Sequence, residues 1–348
     1  MGLFSSHSLC GPLLRSSLPH LGSLLLKASE RTHLSTISRS RFEKTHSPKM
    51  SDSKSVMKRH MEQGNAMKDE EKLYRYKGVL YPCIICPEEN LNALDCLRAR
   101  PEDIMLVAYP KCGFNWVAGV LRQLIELASG VKQDSSRHPL LEFFGPDGIK
   151  NLENAPSPRL VGFHMNADNI PATFYQNKTK MLVIFRNPKD TAVSYYHFFN
   201  NNPVLPSVKS WDSFFERFMS GEVPWGSYFD HALAWEKKMD DPNVMFITYE
   251  DLKKDLSEGV RQISTFFGFS LTDAQVEQVS QGSTFNAMKK NSSQTHQKMG
   301  SVLFRKGEIG DWKNHFSPEQ SQQMDEAFKQ KLEGTKIGAL LKYQLYCQ

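Results

Sequence analysis

At 348 residues and 40% hydrophobic content the chain can bury a large core, and its length fits one α/β domain. No stretch approaches the roughly 18 uninterrupted apolar residues that span a bilayer as a helix. The formal charge of +5 resides in residues 1–49, where seven Lys/Arg face only Glu30 and Glu43; the remainder is balanced in sign, which excludes the bulk positive stripe of a nucleic-acid binder.

Residues 1–49 are rich in Ser, Leu, His and Arg and carry no acid before Glu30, a composition like that of a mitochondrial presequence. Gly11, Pro12, Pro19 and Gly22 interrupt any amphipathic helix there. The reading adopted is a disordered extension ahead of a second start at Met50, with the protein cytoplasmic. Gly2 with Ser6 fits the loose myristoylation pattern, and Cys10 offers a second acylation point. Residues 50–73 read as a lead-in to a single domain over 74–348. Six cysteines are sparse for this length and predict reduced thiols. Cys83 and Cys86 have the spacing of a metal pair, but the isoleucines between them favour strand or core, and no second pair accompanies them.

From about residue 75 onward, short runs rich in Val, Ile and Leu alternate with helical patterns. Strands are predicted over Ile104–Tyr109, Arg159–Phe163, Met181–Phe185 and Val244–Thr248. Helices are predicted over Val117–Leu127, Thr191–Asn200, Trp211–Met219, Tyr228–Lys238 and Leu256–Phe267. This alternation predicts a mostly parallel sheet with helices on both faces and ligands at the carboxyl ends of the strands. The first three strands are followed there by Lys111, His164 and Arg186.

The stretch VAYPKCGFNWV, Val107 to Val117, puts Lys111, Cys112 and Gly113 in a strand-to-helix bend, where backbone N–H groups and the helix dipole converge on an anion. It is not a Walker loop, because the lysine precedes the glycine and Asn115 stands where a hydroxyl would meet magnesium. MLVIFRNPKDTAVS ends its strand in Arg186 rather than in a metal-binding aspartate. Phosphate is therefore expected to be held directly by two donors, with a surface arginine capping the sheet as the plain alternative. Ser194 is expected one turn into the following helix, within reach of the same anion. Arg305, Lys306, Gly307 and Gly310 in FRKGEIGDWKNHF describe a loop that wraps phosphate with side chains and backbone together. Three such sites imply a ligand with separated phosphate groups and no metal.

The strings YPKCGFNW, RNPKDTAVSYYHFF, YEDL and RKGEIGDWKNHF, in this order and spacing, resemble the motifs of cytosolic sulfotransferases from roughly Tyr74 to Gln348, with wording most similar to family 6B. The resemblance implies a single globular α/β domain around a five-stranded, mostly parallel sheet, with 3′-phosphoadenosine 5′-phosphosulfate as donor. It assigns the cradle of the 5′-phosphosulfate to Lys111, Cys112, Gly113, Phe114, Asn115 and Trp116. The 3′-phosphate falls to Arg186, Ser194, Arg305, Lys306 and Gly307. Trp116 and Phe285 are implied to stack the adenine, with Tyr249, Ser283 and Thr284 beside it. His164 aligns with the family's base. Independently of the resemblance, transfer to an alcohol or phenol needs a proton acceptor near neutral pKa and a cation for the departing oxygen, which His164 and Lys111 suit.

The sequence also departs from the family pattern. Gly162 stands two residues before His164 where a lysine is common, Cys112 replaces a serine, and Phe114-Asn115 replaces a threonine pair. A thiol at a helix N-terminus can be acidified and oxidised, or can simply fit as a small residue. Phe143, Phe144, Phe163, Tyr195, Phe198 and Phe199 are candidates for an apolar acceptor cavity suited to phenols or steroid-like alcohols. The polar segment Lys289–Ser301 reads as a lid over the donor or as a plain surface loop. Family dimers use a segment that here runs from Lys313 to Gln322. Ser317-Pro318 replaces its β-branched pair and Gln322 its acid, so a monomer or weak homodimer is expected. Two alternatives from other classes remain: a catalytically weak binder of adenosine 3′,5′-bisphosphate, and a magnesium-dependent kinase, which would need a strand-end aspartate.

Overall fold

The structure, a computed structural model, describes residues 53–134, 137–295 and 304–348. The expectations for residues 1–49, including Gly2, Ser6 and Cys10, and the second start at Met50 lie outside the described residues. After an N-terminal helix, α1 (Ser53–Ala66), the chain forms an antiparallel hairpin of β1 (Leu73–Tyr76) and β2 (Val79–Pro82), turned by Lys77 and Gly78 at positive φ. Cys83 and Cys86 follow the hairpin. The Cys83 thiol reaches Met67 Sδ at 3.6 Å, and Cys86 is buried in the core.

The four apolar runs form one parallel sheet of β3 (Ile104–Ala108), β4 (Leu160–Phe163), β5 (Lys180–Phe185) and β6 (Val244–Thr248). Its order is β4-β3-β5-β6. Every residue of β3 is buried, as a strand covered by helices on both faces must be. The chain leaves β3 to one side to form β4 and then returns to the other side to form β5. The carboxyl ends of these strands therefore surround a topological switch point, where parallel sheets open a crevice.

Five strands were expected, and the sheet has four. The fifth position is reduced to a single parallel bridge between Leu140 and Gly162, whose N–H donates to the Pro139 carbonyl at 2.9 Å. Pro139 has no N–H with which to extend a ladder, and the chain turns directly into a 3-10 helix at Leu141–Phe143.

Helix α2 (Phe114–Ser129) begins after Gly113 at φ 110 and ends at Gly130 at φ 71, two left-handed positions that glycine adopts without a Cβ penalty. Helix α3 (Pro188–Asn200) starts three residues before the predicted Thr191. Asn187 accepts the Asp190 N–H and Pro188 occupies the first turn, so the RNP string is a helix start. Helices at Trp211–Ser220, Tyr228–Glu236 and Leu256–Phe267 match their predicted spans to within two residues. Helix α4 (Tyr249–Lys254) follows β6 directly, and α5 (Phe285–Thr295) covers the first half of the segment read as a lid or loop; residues 296–303 lie outside the described residues.

The C-terminal residues close the structure over α3. The buried Asp190 carboxylate accepts the Gly310 N–H at 2.7 Å and the Trp312 N–H at 3.0 Å. The neighbouring Lys189 ammonium, also buried, donates to Ser321 Oγ and the Cys347 carbonyl, both at 2.7 Å, and pairs with Asp325. Ser317 and Pro318 open α6 (Pro318–Lys331) with a capping box to Gln320. Gln320 accepts the Trp211 indole N–H and donates to Asp212, so this part of the Lys313–Gln322 segment is tied to the protein's own α-layer.

Asp190→Ala removes two charge-assisted contacts to backbone N–H groups and leaves both groups unpaired. Its expected cost is about 2–4 kcal/mol in urea unfolding. A loss under about 1 kcal/mol would show that the Gly310–Trp312 loop does not depend on this carboxylate.

Candidate active site

A cavity of about 820 Å³ opens at the carboxyl ends of β3, β4 and β5, and Lys111, His164 and Arg186 all line it. Lys111 follows β3 in a left-handed conformation at φ 72, which turns the chain sharply before α2. Its ammonium sits 4.3 Å from the centre of the Phe198 ring. Burial, with Arg186 and Arg305 nearby, lowers the Lys111 amine to about 7.

Arg186 joins the two phosphate-type loops. Its guanidinium donates to the Glu308 carbonyl at 2.9 Å and more weakly to the Lys111 carbonyl at 3.5 Å, and it lies 4.4 Å from the Tyr249 ring centre. Its Nε is buried with no hydrogen-bond partner, a donor waiting for an acceptor. Arg305 and Lys306 both donate to Asp311, and both line the cavity with Arg186. Burial acts to raise the Asp311 carboxyl, but hydrogen bonds from Lys306 and Arg305 outweigh it and hold the carboxyl well below its usual range. At Gly307 a Cβ would come within 2.2 Å of the Phe285 ring, so the aromatic lies directly on the loop backbone. Lys111, Arg186, Arg305 and Lys306 thus meet in the cavity with an orphaned guanidinium N–H and a helix N-terminus, which fits a ligand bearing several anionic groups.

Most of the residues expected in the site meet at this cavity. Lys111, Gly113, Phe114, Asn115, Trp116, His164, Arg186, Ser194, Tyr249, Phe285, Arg305, Lys306 and Gly307 all line it. Ser194 does so from the second turn of α3 rather than the first, because the helix starts earlier than expected. Three residues fall outside the walls. Cys112 is buried behind the loop against Thr191 Oγ1 at 3.6 Å; burial pushes its thiol up to about 12, so it is inert rather than acidified. Ser283 is buried too, its hydroxyl accepting from Gln123 and its carbonyl accepting the Trp116 indole N–H at 2.7 Å. Thr284 caps α5 through the Ala287 N–H.

His164 follows β4 with its ring fixed on both sides. Its Nδ1–H donates to the Ala108 carbonyl at 2.6 Å, which puts the lone pair of the neutral ring on Nε2. Burial, helped by Lys111 and opposed by the Ala108 contact, lowers the imidazole to about 4, so it is neutral at physiological pH. Its backbone N–H donates to Glu142 Oε1 at 2.6 Å. Burial drives that carboxyl up to about 8, with the His164 N–H opposing. The Trp225 indole stands edge-on to the imidazole at 5.0 Å, from a residue at φ 63. Sequence reading missed Glu142, Trp225, Asp311 and His138. Trp225 lies in a Pro-Trp-Gly run that reads as an ordinary turn, and Glu142 sits in a short apolar stretch with no periodic signal.

The apolar end of the cavity is walled by Phe143, Phe144, Phe198, Trp225 and Val204, with Val56, Met57, His60 and Met61 of α1 also lining it. Gly64 seats that helix: a Cβ there would lie 2.6 Å from the Pro203 carbonyl oxygen. Phe163, Tyr195 and Phe199, expected in the cavity, are core residues that do not line it. The Gly162 departure also gains a structural reason, since a Cβ there would meet Phe114 Cζ at 2.5 Å and the Leu106 carbonyl oxygen at 2.9 Å. Phe114 fills the volume that a side chain at position 162 would need. One group of metal-type ligands, His197, Asp311 and His315, has its ligand atoms within 4.8 Å. Asp311 is already engaged by Arg305 and Lys306, so a dication there would face two like charges.

The family model of the sulfotransferase domain matches residues 101–336. Sulfotransferase 6B1 of Danio rerio is 57% identical over 295 residues, covering 84% of this chain and all of the relative. The Homo sapiens protein of the same name is 49% identical over 275 residues, covering 79% and 91%. The crystal structure of mouse sulfotransferase SULT7A1 complexed with PAP is similar at TM-score 0.70 and 34% identity, covering 78% of this chain and 98% of that one.

The contact between Gly162 and Phe114 predicts a size-coupled pair. Gly162→Lys alone is expected to destabilise the protein by about 1–3 kcal/mol through overpacking, and Phe114→Thr in the same chain is expected to recover most of that loss. Urea midpoints of both single variants and the double measure it. Simple additivity would show that the ring and the missing side chain do not compete for one space.

Proposed function

This chain belongs to the sulfotransferase family, and from that premise we propose that it moves a sulfuryl group from 3′-phosphoadenosine 5′-phosphosulfate to the hydroxyl of a small aromatic or steroid-like acceptor, phenols and iodothyronines among them. The observation that carries the proposal is the pairing, in one cavity, of a neutral His164 with its Nε2 lone pair free and a cluster of cations with an unsatisfied Arg186 donor. When bound, the donor supplies an electrophilic sulfur and a phosphate leaving group.

The protein's own groups divide the work. Arg186, Arg305 and Lys306 hold the 3′-phosphate, with Ser194 beside them, and Arg186 gains there the acceptor its Nε lacks. Trp116 and Phe285 offer faces to the adenine, and Lys253, which also lines the cavity, adds a further cation near Phe285. His164 Nε2 takes the hydroxyl proton as the acceptor oxygen bonds to sulfur. Lys111 stabilises the bridging oxygen, which keeps the electron pair of the broken S–O bond. No metal enters this scheme. The apolar acceptor end favours a flat or fused-ring alcohol over a charged one.

A second reading, a binder of adenosine 3′,5′-bisphosphate with little turnover, draws on Gly162, which leaves the reacting end without the side-chain cation common in the family. A transfer assay with labelled donor over phenols, hydroxysteroids and iodothyronines separates the two. The wild-type chain is expected to sulfate at least one of these classes, and His164→Ala is expected to lose a factor of about 10²–10⁴ in turnover with donor affinity near normal. A variant retaining more than about a tenth of wild-type turnover would remove His164 from the role of base. We further propose a cytoplasmic monomer or weak homodimer; no described helix is long and apolar enough to cross a membrane.

The Lys111 amine, at about 7 in the free site, gives donor binding a pH signature. An anionic ligand raises that value, so binding between the free and bound values takes up a proton, and affinity is greatest below pH 7 and falls as pH rises through it. Calorimetry at pH 8 in buffers of different ionisation enthalpy is expected to show uptake approaching about one proton. Heats independent of buffer would mean that Lys111 is already charged in the free protein.

A further inference from the structure

We propose that His138 is a positioning residue for sulfuryl transfer, acting by locking the Asn115 carboxamide so that its N–H groups face the reacting end of the cavity. The inference rests on the sulfotransferase reading above and adds to it a residue outside every motif of the sequence. His138 and Asn115 both line the cavity, with His138 Nε2 2.7 Å from Asn115 Oδ1. The imidazole's other nitrogen settles the direction of that bond. The Leu140 backbone N–H points at Nδ1 at 3.3 Å, so Nδ1 is an acceptor and carries no proton. The neutral tautomer with Nε2–H remains, and it donates to Asn115 Oδ1. The amide oxygen is thereby held against His138, and the Asn115 Nδ2 hydrogens are presented on the opposite side.

Packing holds the imidazole in place. Its ring stacks on Phe114 at 5.4 Å with planes 15° apart, and Phe143 closes its other flank at 5.4 Å. The same Phe114 ring stands edge-on to His164 at 5.0 Å, so one aromatic separates the positioning histidine from the base. Asn115 is the second residue of α2, immediately after the Lys111–Gly113 bend, and therefore lies where an anion would meet the helix N-terminus. A fixed pair of neutral N–H donors in that place stabilises charge on the transferring group's oxygens without needing to reorganise.

Two measurements decide the proposal. In the free protein, imidazole 15N spectra are expected to show the neutral form of His138 carrying its proton on Nε2, irrespective of any turnover. A neutral form protonated on Nδ1 would overturn the pairing. In the transfer assay, His138→Leu and Asn115→Ala are each expected to lower kcat by about ten- to a hundredfold with donor KM within about twofold, as for a lost oriented donor. His138→Gln, whose Nε2 can replace the lost donor, is expected to regain most of the activity, and the His138→Leu/Asn115→Ala double variant to be no worse than either single one. Multiplying losses, or a glutamine variant as poor as the leucine, would reduce His138 to a packing role. A wild-type chain inactive on every acceptor would sink the sulfotransferase reading, while the tautomer spectra would still decide the contact.

Discussion

Four positive side chains, Lys111, Arg186, Arg305 and Lys306, converge on one corner of the sheet, and much of the surrounding structure serves to keep them there. Like charges in a partly enclosed cavity repel, and each seeks an acceptor. Asp311 answers Arg305 and Lys306, carbonyls of Glu308 and Lys111 take Arg186, and the faces of Tyr249 and Phe198 receive Arg186 and Lys111. These partners leave the charge unbalanced. The unpaired Arg186 Nε and the lowered Lys111 amine are two signs of one unfilled requirement for anions. A donor bearing phosphates meets that requirement, and binding and charging of the site become linked events.

The cation cluster in turn explains why the C-terminal residues fold back on α3. Arg305 and Lys306 are far in sequence from Lys111 and Arg186, so the loop carrying them must be fixed to the sheet. Asp190 does this through two backbone N–H groups, one turn after the Arg186 corner. Lys189, one residue earlier, is buried under Trp312 at 4.3 Å and bonds the carbonyl of Cys347. Adjacent residues of a single motif thus bind separate parts of the C-terminal segment. A buried lysine and aspartate are costly unless satisfied, and here their hydrogen bonds tie the loop bearing Arg305 and Lys306 to α3.

The strand-end residues were legible in the sequence because their signals are local. A buried apolar run followed by Lys111, His164 or Arg186 says where a parallel sheet must end and what waits there. The helix starting at Pro188 was read three residues late because the hydrophobic period begins only inside it, whereas its cap is set by Asn187 and Pro188. The missing fifth strand depends on one proline beside Leu140, too short a signal for periodicity. Cys112, Ser283 and Thr284 lie next to cavity residues in the chain without lining the cavity themselves. In a tight bend, neighbouring side chains point to different sides, so a motif read as a block carries some members that only support the backbone. Glu142, Trp225 and His138 could not be found from spacing at all, since they reach His164 and Asn115 from a loop and a turn remote in the chain.

Position 162 shows how one such remote contact changes the chemistry available. The Phe114 ring occupies the space that a side chain at position 162 would need. That ring then touches His164 on one side and stacks with His138 on the other, drawing a second imidazole to the helix N-terminus. A cation stabilises charge from a distance but pays for its own desolvation beside Lys111, whereas a carboxamide held by His138 stabilises only the atoms it is aimed at. Burial with Arg186 and Arg305 nearby lowers the Lys111 amine to about 7, so an anion bound beside it would favour its charged form.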